Sequence, residues 1–381
     1  MHTVTVHQVP TLVLGEGCAR AAGAWLASRG YRCPLMVTGR SGESLKAQLR
    51  ELWKGEGLEL RSVSPVPPEP TVRQYGAVLR EAREQEPDAV VGIGGGSVLD
   101  VAKLLAVALD RPEPVSAFFG IDRIPGRSLP LVCLPTTAGT GSEVSPNAIL
   151  LDETHGLKQA AISRFLVPDA SFVDPELTYS VPPVVTAATG FDALTHCIEA
   201  YANRQAHPWV DPWALQGIRW IGTYLLRAVQ DGLDREARRY VALGSLCGGL
   251  CLGPVNTAAV HALAYPLGGQ HRIPHGIAIA VLLPPVLRFN LEADLDRYAE
   301  VARCLGAEPA RDSRVTAERG WARLLELRRA CGLPERLSAL GIRREELRGL
   351  AEAAWQVQRL LQNNPRPLDI RDITAIYEDA F

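Results

Sequence analysis

The chain has 381 residues, of which 47% are hydrophobic, so it is long enough for two domains and apolar enough to bury their cores. Its 40 basic and 42 acidic residues nearly cancel and form no long run of one sign, which argues against nucleic acid or an anionic membrane surface as a partner. Its 8 cysteines are spread too widely for the disulfide framework of a small secreted domain.

The first half of the chain alternates short apolar segments with amphipathic ones. Apolar segments at 34–39, 89–96 and 129–137 are separated by helical patterns such as 44–53 and 98–109. This alternation predicts parallel strands joined by helical crossovers, in an α/β domain over residues 1–180. Because ligands bind at the carboxyl ends of such strands, the polar turns that follow them are the first candidates for a binding site.

The first of these turns is rich in glycine. Gly94, Gly95, Gly96 and Ser97 follow an apolar strand and open the helix that begins near Val98. Glycines let a phosphate approach the backbone closely, and the start of a helix offers it free N–H groups. A tight turn without a ligand would look the same, and the spacing departs from the common G-x-G-x-x-G pattern. The turn therefore indicates a dinucleotide site without securing a standard Rossmann fold.

A second polar turn follows the next apolar strand, at residues 135–143. It carries four small hydroxylated residues, Thr136, Thr137, Thr140 and Ser142. Their hydroxyls are suited to ribose or phosphate oxygens, although Ser, Thr and Gly are also ordinary loop formers. Two such turns at successive strand ends strengthen the prediction of one shared ligand.

Long helical patterns replace the strand patterns from about residue 181. We predict a helical domain over residues 181–381, with a boundary near the proline-rich segment 175–185. The apolar run 277–286 is shorter than a bilayer span, and the N-terminal sequence has no cationic leader before an apolar core. We therefore expect a cytoplasmic protein that does not enter a membrane.

A candidate metal site lies within the helical patterns. Asp192 and His196 are four residues apart and so share one face of a predicted helix, and His261, His271 and His275 lie close together downstream. One carboxylate and three neutral imidazoles suit ferrous iron or zinc. Each of these residue types, taken alone, is found at least as often as an ordinary core or surface residue as it is found as a metal ligand. The prediction therefore rests on the combination.

Five motifs occur in an order that resembles the iron-containing alcohol dehydrogenase family, which belongs with glycerol dehydrogenases and dehydroquinate synthase. They are GGGSVLDVAK at 94–103, PTTAGTGSEVSP at 135–146, DPELT at 174–178, AATGFDALTHCIEAY at 187–201 and HALAYPLGGQHRIPHG at 261–276. The resemblance implies a dinucleotide-binding α/β domain plus an all-α C-terminal domain, with a metal in the cleft between them. It implies four metal ligands, namely Asp192, His196, His261 and His275.

The resemblance also assigns residues to the cofactor and to catalysis. The implied cofactor-binding residues are Gly39, Arg40, Gly94, Gly95, Gly96, Ser97, Asp100, Thr136, Thr137, Thr140, Ser142 and Lys158. Many members carry a histidine where this chain has Tyr265, so the proton route is expected to differ, and His271 is the candidate replacement, with Asp100 as a second catalytic candidate. Members often carry an aromatic residue where this chain has Asn147, which favours a more polar substrate.

The end of the second strand bears on the choice of cofactor. Family members often carry an acidic residue there, which bonds the adenosine ribose of NAD and repels a 2′-phosphate. This chain has Gly39 and Arg40 instead, so we predict NADP(H) in preference to NAD(H). Arg40 as a solvated surface charge is the alternative interpretation.

Together these features predict an oxidoreductase that interconverts a small primary alcohol or diol and its aldehyde. Ferrous iron is the expected metal, zinc accepts the same ligands, and the family suggests a homodimer. A maleylacetate reductase is one alternative, although it has no need of the Asp192 and His196 pair. A lyase resembling dehydroquinate synthase would need a basic phosphate cluster, yet Lys158 is the one lysine after Lys103. A non-catalytic nucleotide sensor would have no reason to keep four metal ligands.

Overall fold

The computed structural model describes residues 2–154 and 156–381, and the elements below lie within those ranges. The strands are β1 Thr11–Leu14, β2 Pro34–Thr38, β3 Arg61–Ser62, β4 Ala89–Gly94, β5 Gly120–Ile121, β6 Leu131–Pro135, β7 Asn147–Asp152, β8 Leu157–Ile162 and β9 Ala170–Val173. The helices are α1 Ala21–Ser28, α2 Glu43–Leu52, α3 Val72–Glu84, α4 Gly96–Ala108, α5 Pro183–Tyr201, α6 Asp211–Gln230, α7 Arg235–Leu252, α8 Ala259–His271, α9 His275–Asn290, α10 Leu295–Cys304, α11 Ser313–Ala330, α12 Leu347–Trp355, α13 Gln358–Leu361 and α14 Ile370–Asp379.

The chain divides into two compact units. The α/β unit consists of residues 7–137 and 142–179, and the helical unit consists of residues 2–6, 138–141 and 180–381. The main change from one unit to the other falls between Tyr179 and Ser180. Four residues of the predicted second turn, 138–141, pack with the helical unit although the segments on either side of them belong to the α/β unit.

The α/β unit is built on a six-stranded parallel sheet with the order β1-β9-β6-β4-β2-β3. This confirms the predicted fold class, a parallel α/β domain followed by a helical one. The order of the strands changes direction beside β2. The next strand along the chain, β3, lies on one side of β2, whereas β4, β6 and β9 follow on the other side. A smaller sheet, β5-β8-β7, contains an antiparallel pair that the sequence analysis did not predict.

Successive side chains of the central strands pack on opposite faces of the parallel sheet. On β4, Val90 belongs to a core shared with α3 and α4, whereas Val91 and Ile93 belong to a second core shared with α1 and α2. Burial on both faces explains why these strands read as continuous apolar runs. Helices on both faces therefore hold the strands, and the strand ends are left to carry the polar turns.

Helix α5 forms the centre of the helical unit. Its residues from Phe191 to Tyr201 are all buried, and it packs against α6, α7 and α9. Functional side chains on α5 are consequently held in a rigid, dry setting.

The segment His275–Ala293 is long and apolar enough to cross a membrane by length and composition. However, 67% of it is buried inside the protein, as expected of a core helix.

Two charged residues of α4 fasten the second polar turn and the segment after it to this helix. Asp100 accepts hydrogen bonds from the Ser142 hydroxyl at 2.6 Å and from the Ile149 N–H at 3.0 Å. Lys103 donates from Nζ to the carbonyl oxygens of Ser145 and Asn147, both at 2.8 Å. Burial raises the pKa of Asp100 and lowers that of Lys103, and each charge opposes the shift of the other. Both groups thus bridge α4 to the chain that enters β7.

The neighbouring carboxyl group of Glu143 should make stability depend on pH. Burial raises its pKa to about 7 from 4.5, with Lys103 opposing the shift. The unfolded chain loses this proton near pH 4.5 and the folded chain near pH 7, so the contribution of Glu143 is fully present below pH 4.5 and is lost as the pH rises through 7. Glu143→Gln should remove this dependence and gain up to about 3 kcal/mol over the wild type at pH 8.

Urea denaturation of both proteins at pH 5 and pH 8 measures this effect. The difference between wild type and variant should be larger at pH 8. An equal difference at the two pH values would contradict the assignment of a raised pKa to Glu143.

Candidate metal centre and cofactor-binding turns

Four side chains from three helices converge in the helical unit. Helix α5 carries Asp192 and His196 one turn apart, His261 lies in the first turn of α8, and His275 opens α9. Oδ1 of Asp192 lies 3.9 Å from Nε2 of His196, 3.4 Å from Nε2 of His261 and 3.5 Å from Nε2 of His275. The ligand atoms of Asp192, His261 and His275 all lie within 4.8 Å of one another, which makes these three a potential metal site.

Their surroundings fit a cation. Asp192 and His261 are buried, and no hydrogen bond within the described residues satisfies Oδ1 of Asp192 or Nε2 of His261. Buried polar atoms that lack partners are costly, and here the unsatisfied atoms face one another across 3.4 Å. A divalent cation among them would accept both lone pairs and compensate the buried carboxylate charge. The oxygen and nitrogen donors suit iron or zinc.

The pKa values of these groups reflect how strongly they are coupled. Burial alone would raise the pKa of Asp192, but the imidazoles of His196 and His275 outweigh it and hold that pKa well below its usual range. Burial lowers the pKa of His196 to about 4, so its ring is neutral at pH 7. The pKa of His261 rises to about 9, because Glu199 and Asp192 outweigh the effect of burial. Negative charge is thus concentrated around His261.

One residue next to this cluster was not predicted from the sequence. Glu199 is buried on α5, and its carboxylate lies 2.6 Å from Nδ1 of His261 and accepts a hydrogen bond from the Val260 N–H, also at 2.6 Å. It follows His196 by three residues and therefore shares the helical face of Asp192 and His196. That spacing was visible in the sequence and would have pointed to it.

A close helix contact brings His275 to the cluster. A Cβ atom on Gly276 would lie 2.4 Å from the carbonyl oxygen of Ala188, so only glycine lets the start of α9 approach α5 this closely. Pro274 is the N-cap residue of α9 and ends the short connection from α8. The imidazole of His275 is thereby held beside Asp192.

The predicted catalytic residue His271 is not among the converging side chains. It ends α8, ten residues after His261 and so about 15 Å along the helix axis. Its charge acts on Glu346, a surface residue. Tyr265, by contrast, has its ring centroid 6.4 Å from that of His275. The catalytic role of His271 therefore stays a prediction, and Tyr265 lies nearer to the cluster.

The predicted cofactor residues meet at adjacent strand ends of the α/β unit. Thr38 at the end of β2 pairs with Ile93, and Gly94 at the end of β4 pairs with Pro135 of β6. The two polar turns are in direct contact, because a Cβ atom on Gly95 would lie 3.0 Å from the Thr137 hydroxyl. Gly94, Gly96, Thr136 and Ser142 belong to the same turns. Thr140 lies in the 138–141 segment, which packs with the helical unit.

Ser97 and Lys158 are connected through Glu69, a residue the sequence analysis did not single out. The Glu69 N–H donates to the Ser97 hydroxyl at 3.0 Å, and the Glu69 carboxylate pairs with Nζ of Lys158 at 3.0 Å. Glu69 adopts a left-handed backbone conformation with φ 47°, which is uncommon for a residue with a side chain. Both carboxylate oxygens of Asp100 are bonded within the protein, which favours a positioning role for it; its catalytic role stays a prediction.

A carboxylate from α2 lies at the end of β2, although the residues that follow the strand directly, Gly39 and Arg40, include none. Arg40 is exposed beside Gly39, but Glu43 reaches back from α2 and accepts a hydrogen bond from the Thr38 hydroxyl at 2.8 Å. Lys46 pairs with this carboxylate at 2.6 Å and, as the largest influence, lowers its pKa. A negative charge is therefore present at this strand end, but a lysine compensates it.

Comparison with known proteins decides the family. Residues 10–175 match the sequence profile described as iron-containing alcohol dehydrogenase, and residues 186–381 match the profile of the C-terminal part of the Fe-containing alcohol dehydrogenase family. The chain belongs to the iron-containing alcohol dehydrogenase family. It is an oxidoreductase, and the resemblance seen in its motifs is confirmed.

Relatives in this family act on several alcohols and aldehydes, as their names state. The chain is 40% identical to long-chain-alcohol dehydrogenase 1 of Geobacillus thermodenitrificans, over 91% of this chain and 88% of that protein. It is 33% identical to 1,3-propanediol dehydrogenase of Klebsiella pneumoniae, over 97% and 94%. Among solved structures, an alcohol dehydrogenase from Oenococcus oeni superposes with a TM-score of 0.95 at 30% identity, covering 100% of both chains. Sulfoacetaldehyde reductase from Bifidobacterium kashiwanohense, solved in complex with NAD+, gives 0.89 at 30% identity, covering 100% and 99%.

The close contact at Gly276 provides a test of the helix packing in this iron-containing alcohol dehydrogenase. Gly276→Ala would place a methyl group against the backbone of α5, which should cost about 1–3 kcal/mol of unfolding free energy. Gly349→Ala is the matched control, since Gly349 lies within α12 and no atom of the described residues lies within 4 Å of its added Cβ, and it should gain about 0.5–1 kcal/mol. Denaturant unfolding measures both. A Gly276→Ala protein as stable as the wild type would refute the required close approach.

Proposed function

We propose that the chain is a metal-dependent, NADP(H)-preferring enzyme that interconverts a small primary alcohol or diol and its aldehyde. The observation that carries the proposal is the convergence of three imidazole Nε2 atoms on one oxygen of Asp192, in a chain of this family. Ferrous iron is the proposed metal, with zinc as an ion that the same donors accept.

The proposed ligands are Asp192, His196, His261 and His275. A divalent cation bound there would supply a Lewis acid for the substrate oxygen, and a bound nicotinamide would supply the hydride donor or acceptor. The protein's own contribution is to hold the four donors on three packed helices, so that little reorganisation accompanies binding. Because Asp192, His196 and His261 are buried, water reaches this side of the cluster poorly, which strengthens electrostatic interactions within it.

The proposed cofactor-binding residues lie on the two polar turns and at the end of β2. The N-terminus of α4 and its preceding glycines would receive the pyrophosphate, and the hydroxyls of the second turn would bond ribose or phosphate oxygens. Lys158, held by Glu69, is the proposed further cationic contact. Exposed Arg40 would attract a 2′-phosphate.

The proposal extends to the substrate class, the cellular location and the assembly. Asn147 has a buried side-chain oxygen without a hydrogen-bond partner among the described residues, which supports a substrate more polar than a long alkyl alcohol. The cytoplasmic location and the homodimer stay predictions. A screen of alcohols, diols and aldehydes tests the substrate, and net reduction of the nicotinamide rather than phosphate release distinguishes this enzyme from a lyase.

Metal dependence is the first expected outcome. Removing the metal with a chelator should abolish alcohol oxidation, because the substrate oxygen then loses its Lewis acid, and Fe(II) should restore it. Asp192→Asn should lower the amount of bound metal and the activity by about 100-fold or more, since it removes the one negatively charged ligand. Metal content by mass spectrometry and the initial rate are the two measurements.

Asp174→Asn is the control for these measurements. Asp174 is also a buried carboxylate, but its partners are the backbone N–H groups of Gly17 and Ala19 in the α/β unit. This variant should be less stable and should keep its metal. Full activity in the metal-free wild type would refute the proposed chemistry.

Cofactor preference is the second expected outcome. The Michaelis constant should be lower for NADPH than for NADH, and Arg40→Ala should raise the constant for NADPH by about 10-fold through loss of one charge-assisted contact. The constant for NADH should change little. Arg348→Ala, which removes an exposed arginine from α12, controls for the change in net charge. A wild type that favours NADH would show that Glu43, and not Arg40, governs this strand end.

A further inference from the structure

The carboxylate of Glu199 contacts nitrogen atoms of two consecutive residues, Val260 and His261. Its Oε1 accepts the backbone N–H of Val260 at 2.6 Å, and its Oε2 lies 2.6 Å from Nδ1 of His261. The side chain of Glu199 is about 5% exposed, and so is that of His261. Water therefore competes little for either contact, and the geometry of His261 depends on this carboxylate.

An ionised carboxylate can only accept hydrogen bonds, so the imidazole beside it must present its proton at Nδ1. In the neutral ring, which is the form that binds a metal, this leaves Nε2 without a proton, and Nε2 lies 3.4 Å from Asp192. We propose that Glu199 is a positioning residue that locks His261 in the Nδ1–H form, which keeps Nε2 free to bind the metal. This proposal rests on the proposed function, because it requires His261 to be a metal ligand.

The backbone N–H of Val260 explains why the side chain beside His261 must be a carboxylate. Its N–H belongs to the first turn of α8, where backbone N–H groups have no partner within the helix, and Ala258 at the N-cap has no side chain to bond them. This backbone donor is fixed, whereas the ring of His261 can change its tautomer. A side chain that satisfies Val260 with one atom and His261 with the other must be an acceptor at both atoms if Nε2 is to stay unprotonated.

Glu199→Gln should therefore be more harmful than its similar shape suggests. The glutamine oxygen would accept from Val260, and the amide N–H would then donate to Nδ1 of His261. That arrangement satisfies every hydrogen bond but moves the ring proton to Nε2, the atom that faces Asp192. Glu199→Ala offers no donor and leaves the ring free to adopt either tautomer. The tautomer proposal thus predicts an unusual order, in which the isosteric variant binds metal more weakly than the truncated one.

The experiment measures the affinity of the full-length protein for Zn(II) by competition with a chromophoric chelator. We expect an affinity about 100-fold below the wild type for Glu199→Gln and about 10-fold below it for Glu199→Ala, within the range known for carboxylates that orient metal-binding histidines. Tyr377→Phe is the matched control. It removes a buried hydrogen bond at 2.6 Å from the Tyr377 hydroxyl to the carbonyl oxygen of Leu263 on the same helix, and it leaves the His261 ring untouched. Its Zn(II) affinity should stay within about 2-fold of the wild type.

Each outcome decides between distinct explanations. A purely structural role of Glu199 predicts that Gln is milder than Ala, or that Tyr377→Phe weakens binding as much as Glu199→Gln, and either result overturns the proposal. If Glu199→Gln fails to fold, wild-type Zn(II) affinity in Glu199→Ala overturns it instead. If the wild type itself binds neither Zn(II) nor Fe(II), the proposed function fails first, which is distinguishable from a wild type that binds metal while its variants do not differ.

Discussion

One buried carboxylate oxygen imposes the strongest constraint on the helical unit. Oδ1 of Asp192 is enclosed by three imidazoles, and no hydrogen bond from the described residues satisfies it. An ionised group in such surroundings is costly unless positive charge is supplied beside it. Helices α5, α8 and α9 must therefore be arranged so that their histidine rings meet at this atom. The packing of these helices therefore also forms the proposed cation site.

Helix α5 meets this requirement with a single face. Asp192, His196 and Glu199 recur at intervals of four and three residues, so one helix supplies two donors and the carboxylate beside a third. Beyond its exposed first turn, most other residues of α5 are apolar and buried, which fixes the helix against α6, α7 and α9. Precision at the cluster thus comes from ordinary core packing around it.

Sequence patterns predicted the elements that lie near one another along the chain. The parallel strands β2, β4 and β6 and the helices α5 to α7 follow from apolar periodicity, and the glycine-rich turn follows from its position after β4. The antiparallel pair β7 and β8 was missed, although only four residues ending in Gly156 separate the two strands in the sequence, a spacing typical of a hairpin.

Contacts made by side chains outside the recognised motifs were harder to foresee. Glu43 is only five residues from Thr38 but belongs to α2, and the first turn of that helix returns its carboxylate to the end of β2. Glu69 likewise joins Ser97 to Lys158 from a loop with no motif of its own. His271 belongs to the histidine-rich segment by sequence, but the axis of α8 carries it away from His261. Proximity along a helix and proximity in space are different quantities, and only a structure separates them.

The excursion of residues 138–141 into the helical unit has a consequence for how the chain can be divided. A fragment cut after Tyr179 would retain these four residues and lose the surfaces they pack against, including Thr189 beside Gly139 and Gly249 beside Gly141. The excised half would carry a displaced loop between β6 and β7, at the point where Asp100 and Lys103 anchor the chain. Although the fold has two compact units, the path of the chain makes each of them a poor candidate for an independently folding domain.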